Sequence, residues 1–272
     1  VSFDGAEANY LHFKGLNTPR LPLVYAPIIF PRIVEEYAGP RFTVALDLYP
    51  FIGWLFKTFG ENKGTLSSGP SVANVAWHFA YSLDMNPIIL VGQDLAFTGG
   101  KTHAAGAAHA RQVDLNSPDG KNLYITTEGI DGSPVMTSYP MYSMKVWFEQ
   151  RLTAVTPGHL TIDATEGGAK IAGTQLMTLQ EALEQYCRED FYPCDILMDV
   201  HRSETERLAN THVSNQLAAV FRSLEEDLEQ VAHSASEGLR SARLLWREAK
   251  TRKLTEQRFS EAHIRLSRCI ES

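Results

Sequence analysis

Apolar residues follow two patterns along the chain, short uninterrupted runs in its first two thirds and a helical stripe in its last third. Short apolar runs are typical of parallel strands that are covered on both faces. Between the runs, residues 72–83 carry apolar positions at the spacing of one helix face. This alternation predicts an α/β domain with a mostly parallel sheet. The predicted strands are residues 1–4, 21–25, 42–48, 88–91 and 160–165, and a helix over 46–59 competes with the third of these.

Turn and cap residues predict further elements. Pro70 suits the first position of the helix over 72–83, and the serines around it can accept hydrogen bonds from free N–H groups. Residues 123–127 and 134–137 predict a hairpin, residues 139–152 predict a helix, and Thr178 with Glu181 predicts a capping box.

The last third of the chain predicts long helices. Ser203 and Glu206 indicate a capping box, Gly238 indicates a turn, and apolar residues recur at steps of three and four. We therefore expect two domains, residues 1–195 and an α-helical domain of residues 196–272. Its helical hairpin is expected to pack on the first domain or to form a homo-oligomer. The apolar stripe before Gly238 consists of Leu208, Leu217, Phe221, Leu224, Leu228 and Val231.

Polar features follow the predicted strands or precede the predicted helix. Because open α/β sheets bind ligands at the carboxyl ends of their strands, we expect these features to share one cleft. A helix start rich in Gly and Ser also binds phosphate. Lys101 and His103 are candidate phosphate ligands, and His103 can move a proton near neutral pH. The features are Asp4, the turn Ser67-Ser68-Gly69, the loop Gly92-Gln93-Asp94 with Lys101-Thr102-His103, and Thr165-Glu166-Gly167-Gly168.

Each feature also has a purely structural interpretation. The Gly/Ser turn can be an ordinary helix cap, Asp94 can cap its own loop, Glu166 can be a turn residue, and His103 can bond to backbone. The chain contains no GxxxxGK[ST], GxGxxG or HExxH motif, and the spacing of its histidines predicts no metal site. The residues alone thus predict an α/β domain that binds a phosphorylated or nucleotide ligand.

Composition narrows the classes of partner. The formal net charge of −7 argues against nucleic acid as a partner, because nonspecific binding relies on a basic surface. Three cysteines without CxxC spacing are typical of reduced thiols, which favours a cytoplasmic location. The sequence contains neither a membrane-length apolar run nor a signal peptide pattern, so no membrane partner is expected. The chain begins at Val1 without an initiator Met, and we expect it to be part of a longer protein.

Four longer segments together resemble the motility accessory factor family, whose central domain is shared with 6-hydroxymethylpterin diphosphokinase-like proteins. The resemblance covers about residues 1–190. The segments are Gly69-Pro70-Ser71-Val72-Ala73, Val91-Gly92-Gln93-Asp94-Leu95-Ala96-Phe97-Thr98, Gly100-Lys101-Thr102-His103-Ala104 and Ile162-Asp163-Ala164-Thr165-Glu166-Gly167-Gly168-Ala169.

This resemblance implies a Rossmann-like, sialyltransferase-like fold that lacks its N-terminal part, since the family's domain begins with a further Gly-Pro-Ser-Leu segment. It also implies transfer of a nonulosonic acid, pseudaminic or legionaminic acid, from its CMP-activated donor to Ser or Thr of flagellin. Ser67, Ser68 and Gly69 would approach the nucleotide. The loop from Asp94 through His103 would line the donor pocket, and Thr165, Glu166 and Gly167 would close the same edge.

One departure concerns the general base. The sialyltransferase-type histidine should fall near residues 137–139, which are Thr-Ser-Tyr here, so either His103, Asp94 or Glu166 supplies the base or the mechanism differs. Two other hypotheses remain open. The chain is a pterin diphosphokinase that uses ATP and Mg²⁺ held by acids such as Asp4 and Asp94, or it is a non-catalytic module that binds flagellin through its helical hairpin.

Overall fold

The carboxyl ends of short parallel strands organise the first part of the chain in the computed structural model. The structure describes residues 1–101, 112, 123–189, 193–209, 213–251 and 255–271. These residues form two compact units, residues 1–205 and 206–272. The sequence-based boundary after residue 195 lies inside a helix that spans residues 193–209.

The first unit contains two pairs of parallel strands that share one edge. Strands β1 (Leu23–Tyr25) and β2 (Arg41–Thr43) pair with each other, as do β3 (Ala45–Leu46) and β4 (Thr65–Leu66). Only Val44 separates β2 from β3, and its amide donates to the Tyr25 carbonyl at 2.9 Å. The two pairs therefore run in the same direction, and residues after β3 and after β4 lie at neighbouring strand ends.

A second group of parallel strands carries the other half of the expected site. Strand β8 (Thr161–Asp163) lies between β5 (Ile88–Leu90) and β9 (Gln175–Leu176), and all three are parallel. An antiparallel hairpin is formed by β6 (Tyr124–Glu128) and β7 (Pro134–Ser138), which confirms the hairpin expected there.

Helices flank these strands and make up the second unit. Ser71 and Thr178 each cap a helix within a complete capping box, which confirms the box predicted at Thr178. The helices are α1 (Pro31–Glu36), α2 (Pro50–Thr58), α3 (Val72–Ser82), α4 (Tyr139–Leu152), α5 (Leu179–Tyr186), α6 (Pro193–Ala209), α7 (Val213–Lys250) and α8 (Glu256–Glu271).

Three helix boundaries differ from the sequence-based expectation. Pro70 precedes the cap residue Ser71 and is not the first helical residue, because the Ser71 hydroxyl accepts from the Asn74 amide. Ser203 lies inside α6 and starts no helix. Gly238 lies inside α7 and makes no turn. Glycine inside a helix costs about 1 kcal/mol of stability relative to alanine, and the helix continues on both sides of Gly238 despite this cost.

The coarse prediction of a mixed α/β protein with parallel strands is confirmed. In the described part of the chain the strands form four small sheets, with three strands in the largest, instead of one broad sheet. The physical reason is strand length, since strands of two or three residues make few ladder hydrogen bonds. The Rossmann-like, sialyltransferase-like arrangement stays a prediction. Over the described residues, no helix combines the length and apolar character that crossing a membrane requires.

The largest apolar core lies around Trp77 and Phe148. Phe148 of α4 is fully buried and meets the rings of Trp77 and Trp147 edge-on, at centroid distances of 6.4 and 5.6 Å. The Trp77 indole N–H donates to the buried Thr161 hydroxyl at 3.0 Å. This core joins α3 and α4 to β5 and β8, so it fixes the elements from which the loops at the strand ends depart.

We expect Phe148→Ala to lower the free energy of unfolding of the first unit by about 3–5 kcal/mol, because truncation of a buried aromatic ring leaves a cavity. Denaturant unfolding followed by tryptophan fluorescence measures this, since Trp77 and Trp147 contact the ring. Leu183→Ala on the exposed face of α5 is the control, with an expected change of about 0.5 kcal/mol or less. Equal losses in the two variants would contradict this assignment of the core.

Candidate ligand-binding site

The first group of expected site residues is the turn Ser67-Ser68-Gly69, which follows β4. Asp47, at the end of the neighbouring strand β3, holds this turn. Its Oδ1 atom accepts from the Ser68 amide at 2.7 Å, and its Oδ2 atom accepts from the Ser67 hydroxyl at 3.1 Å. The Arg151 guanidinium donates to the same Ser67 oxygen. The Asp47 carboxylate and the Arg151 guanidinium, which come from two different segments of the chain, thus both hydrogen-bond to the hydroxyl of the buried Ser67.

The electrostatics of this turn favour a charged aspartate and a neutral histidine. Burial would raise the pKa of Asp47, but hydrogen bonds from Ser68 and Ser67 and the charge of Arg151 together lower that pKa. Burial and the Arg151 charge lower the pKa of His78, against the opposing effect of Asp47. The His78 Nδ1 atom accepts from the Ser67 amide at 3.2 Å, which requires that nitrogen to be unprotonated.

The polar groups of the turn are therefore largely engaged within the protein. Ser67 is only 6% exposed, and the Ser68 carbonyl accepts from the Trp147 indole N–H at 2.9 Å. A Cβ on Gly69 would lie 2.2 Å from the Cβ atom of Asn74, so only glycine fits there. Both backbone and hydroxyl groups of Ser67 and Ser68 are therefore engaged within the protein, and the turn supports the strand ends.

The second group follows β5 and β8, where hydrogen bonds join two loops. The Gln93 amide donates to the Thr165 hydroxyl at 3.0 Å, and the Thr165 amide donates to Asp163 Oδ1 at 3.1 Å. Gly92 precedes this contact with a φ of 68°. The loop that carries Asp94 is thereby fixed against the loop that carries Glu166.

Asp94 contacts both sides of this junction. Its carbonyl accepts from the Ala169 amide at 2.7 Å, and its Oδ2 atom accepts from the Thr98 hydroxyl at 3.1 Å. Gly168 has a φ of 80°, and a Cβ there would lie 2.2 Å from the Asp94 carbonyl oxygen. The close approach of the two loops thus depends on glycine at position 168.

Glu166 adopts a backbone conformation that is uncommon for a residue with a side chain, with a φ of 61°. Its Oε1 atom accepts from the Leu179 amide, the first residue of α5, at 2.8 Å. The exposed carboxylate is consequently held by the N-terminus of a helix.

A cleft of about 580 Å³ lies between these loops and the β6–β7 hairpin. Thr98, Gly99 and Gly100 form one wall, Glu166, Gly167 and Gly168 form another, and the hairpin supplies the third. Asp131 of the hairpin accepts hydrogen bonds from the Ser133 hydroxyl and amide, and these lower its pKa. The remaining lining residues are Ala96, Phe97, Ile130, Ser133, Pro134, Val135 and Met136.

Beneath the junction lies a buried carboxyl group. Asp163 is 2% exposed, and within the described part of the chain its Oδ2 atom has no hydrogen-bond partner. Burial raises the pKa of Asp163, hydrogen bonds from Thr165 oppose this shift, and the charge of Asp94 adds to it. A carboxyl in this position favours the protonated form more than an exposed one does.

The other expected site residues lie in different places. The carboxylate of Asp4 accepts from the Ala6 amide at 2.8 Å in a local turn, and the strand predicted over residues 1–4 is reduced to an isolated bridge between Ser2 and Tyr25. Lys101 is exposed and follows directly on Gly100 of the cleft wall. Thr102 and His103 lie outside the described residues. Among the described residues, no group of three or more His, Cys, Asp or Glu side chains is arranged to hold a metal ion.

Several residues of these networks were not expected from the sequence. Asp47, His78 and Arg151 bracket the serine turn, but they are distant from it along the chain. The sequence did contain a sign that Asp163 is a site residue. An acidic residue at the end of an apolar run is unusual for a strand that is covered on both faces. Asp131 is followed by Gly132 and Ser133, a pattern typical of a turn, and this pattern does not single out the carboxylate.

Comparison with known proteins supports part of the expected resemblance. A family model described as 6-hydroxymethylpterin diphosphokinase MptE-like matches residues 1–100. This confirms the pterin diphosphokinase-like part of the resemblance over those residues, and the motility accessory factor assignment stays a prediction. The match ends at Gly100, inside the first wall of the cleft.

One relative extends the similarity beyond that domain. A protein of Treponema pallidum (strain Nichols), described as an uncharacterized protein, is 27% identical over 244 residues, which cover 68% of this chain. The chain spans 59% of the length of that relative. No solved structure matches the chain.

We expect Asp163→Asn to raise the melting temperature (Tm) relative to the natural protein, and the gain to grow with pH. A carboxyl whose folded pKa is raised above its unfolded value destabilises the fold as pH rises from 3.8 through the raised pKa. Asparagine removes the charge and keeps an acceptor for the Thr165 amide. Thermal unfolding over a pH series measures the difference.

Asp163→Ala is the matched control, since it removes both the charge and the acceptor. The loss of that hydrogen bond costs roughly 0.5–1.5 kcal/mol at every pH, so the alanine variant should be less stable than the asparagine variant throughout. A Tm difference between Asp163→Asn and the natural protein that shrinks as pH rises would contradict the raised pKa.

Proposed function

We propose that the first unit is a transferase domain that binds a nucleotide-activated donor in the cleft whose two loop walls contain Gly99 and Gly168. The observation that carries this proposal is the joining of two loops at the carboxyl ends of β5 and β8, with glycine at both walls. Parallel α/β sheets place their ligands at this edge. Glycine-rich walls let backbone N–H groups approach phosphate oxygens, and Lys101 beside the cleft adds a positive charge.

The donor that we propose is a CMP-activated nonulosonic acid, and the acceptor is a Ser or Thr hydroxyl of flagellin. The sequence segments that resemble the motility accessory factor family support this choice, and three of the four contain residues that line the cleft. In the reaction, the acceptor oxygen forms a bond to the anomeric carbon as the bond to the CMP oxygen breaks. CMP leaves with the electron pair, and the hydroxyl proton passes to a base.

Glu166 is the residue we assign as that base. Glu166 lines the cleft, and its carboxylate accepts from the Leu179 amide, so its position is set before the substrate binds. Asp131 lines the same cleft, but the hydrogen bonds from Ser133 lower its pKa and make it a weaker base. Asp94 acts by orienting Thr98 in the cleft wall.

A second candidate is transfer of a pyrophosphoryl group from ATP to a pterin alcohol. The family match over residues 1–100 favours it, because the description of that model names this class of kinase. ATP with Mg²⁺ would use the same phosphate-binding walls, with magnesium held by one or two carboxylates and the phosphates. The two candidates therefore differ in their nucleotide and in their need for metal.

Thermal unfolding with added nucleotide separates the candidates. At a CMP concentration about one hundred times its Kd, binding stabilises the fold by about 2.7 kcal/mol and raises the Tm by roughly 5–10 °C. We expect this shift with CMP in the absence of magnesium. A shift only with ATP and Mg²⁺ would favour the pterin kinase, and no shift with either would favour a non-catalytic binding module.

Glu166→Gln should reduce transfer of nonulosonic acid to flagellin by about 10²-fold or more, since a positioned base contributes typically 10²–10⁴-fold. Glutamine keeps an acceptor for the Leu179 amide, so the loop is retained. Mass spectrometry of flagellin after incubation with the CMP-activated sugar measures the transfer. Asp131→Asn in the same cleft is the matched control and should leave the rate within a few-fold. Full activity of Glu166→Gln would remove Glu166 from the reaction.

A further inference from the structure

Helix α7 carries an apolar repeat that the function proposed above does not use. From Leu217 to Ala249 the small and apolar positions alternate at steps of four and three without interruption. Such a repeat is the pattern of a coiled-coil interface, which requires a second helix along its whole length. We call these positions the α7 seam: Leu217, Phe221, Leu224, Leu228, Val231, Ala235, Gly238, Ala242, Leu245 and Ala249.

Much of the α7 seam is exposed in the single chain. Phe221, Leu228 and Val231 have exposed fractions of 47%, 66% and 59%. Every seventh residue from Phe221 onward, through Ala235, Ala242 and Ala249, is exposed.

Helix α8 contacts a row of α7 that lies beside the α7 seam and shares Leu245 with it. Glu248 of that row pairs with Arg258 at 2.6 Å, and a small cavity between the two helices is lined by Ser241, Leu244 and Leu245. The α7 seam is therefore an apolar surface that α8 leaves exposed at most of its positions.

We propose that the α7 seam pairs with the α7 seam of a second copy of this chain in antiparallel orientation. Side-chain size supports the orientation. The first half of the seam carries large residues, and four of the five positions in the second half are alanine or glycine. An antiparallel pair places large residues opposite small ones, which lets the layers interlock. The layers are Leu217 with Ala249, Phe221 with Leu245, Leu224 with Ala242, Leu228 with Gly238, and Val231 with Ala235.

Charge along α7 supports the same orientation. The first half carries Glu225, Glu226, Asp227 and Glu229 against one arginine, Arg222, and is net acidic, whereas the second half carries Arg240, Arg243, Arg247 and Lys250 against Glu237 and Glu248 and is net basic. Antiparallel pairing brings the acidic half of each copy to the basic half of the other. Parallel pairing would set like charges side by side and would leave layers of alanine and glycine facing each other.

A second copy is the occupant that matches both features at once. In an antiparallel pair the same surface contacts itself across a two-fold axis, so one sequence must be complementary to its own reverse. The α7 seam meets this condition in size and in charge. Residues 231 and 235 lie on either side of the axis, and the small Ala235 side chain faces Val231 of the other copy there.

The first test is the mass of the protein in solution. Sedimentation of the chain should give twice its 30.3 kDa at micromolar concentrations. Leu228→Glu, which places a charge in the α7 seam, should give the single-chain mass with unchanged helix content by circular dichroism. Ala219→Glu, exposed on α7 and outside the seam, should stay a dimer. A single-chain mass for the natural protein would overturn the proposal, and so would a dimer in which Leu228→Glu has no effect.

The second test is orientation. In a background with serine at Cys187, Cys194 and Cys269, the variants Leu224→Cys and Ala242→Cys are prepared separately and mixed under mild oxidation. An antiparallel pair joins one variant to the other, because positions 224 and 242 face each other. The two positions are about 27 Å apart along a helix, so neither variant should cross-link to itself. Cross-linking of each variant with itself, and not across the mixture, would overturn the antiparallel orientation.

Discussion

The shortness of the strands is the constraint on which the candidate site depends. Strands β3 and β4 contain two residues each, so their ladders alone fix the loops at their ends poorly. Side-chain hydrogen bonds at the carboxyl edge supply the missing order. Asp47 holds the turn after β4, and Thr165 joins the loop after β8 to the loop after β5. The loops are thus positioned by polar contacts between strand ends, and any ligand that binds there meets a surface that is already formed.

The same contacts support backbone conformations that are uncommon for residues with side chains. Leu95 and Glu166 have φ values of 49° and 61°, and both lie in the loops that frame the cleft. Such conformations cost on the order of 1–3 kcal/mol each and persist where the surroundings determine them. Asp84 has a similar φ of 58°, but it directly follows the end of α3, where left-handed residues are common. Strain without such a local reason is therefore concentrated around the cleft, as expected for a functional site.

Local chemistry could be predicted from the sequence, but long-range partners could not. The capping box at Thr178 and the β6–β7 hairpin follow from residues a few positions apart, and both are confirmed. Arg151 reaches Ser67 from another helix, and no spacing rule connects the two residues. Asp94 and Glu166 were expected at one edge of the sheet because the carboxyl ends of parallel strands share it. In the structure the Asp94 carbonyl lies beside Gly168, and Glu166 lines the cleft. The sequence pattern does not predict which polar groups already form hydrogen bonds within the protein, as those of the turn Ser67-Ser68-Gly69 do.

Gly238 shows how a local rule and a longer pattern compete. By propensity alone, glycine in the middle of a charged helical stretch indicates a turn, and it weakens a helix by about 1 kcal/mol relative to alanine. The structure continues the helix through it. The 4–3 repeat explains the choice, because a turn at Gly238 would split the α7 seam between its large and small halves. A position where local preference is overridden marks a place where something else depends on the residue. In the pair of α7 helices that we propose, Gly238 faces Leu228 of the second copy, and an interface between two helices uses the absence of a side chain there, whereas an isolated helix does not.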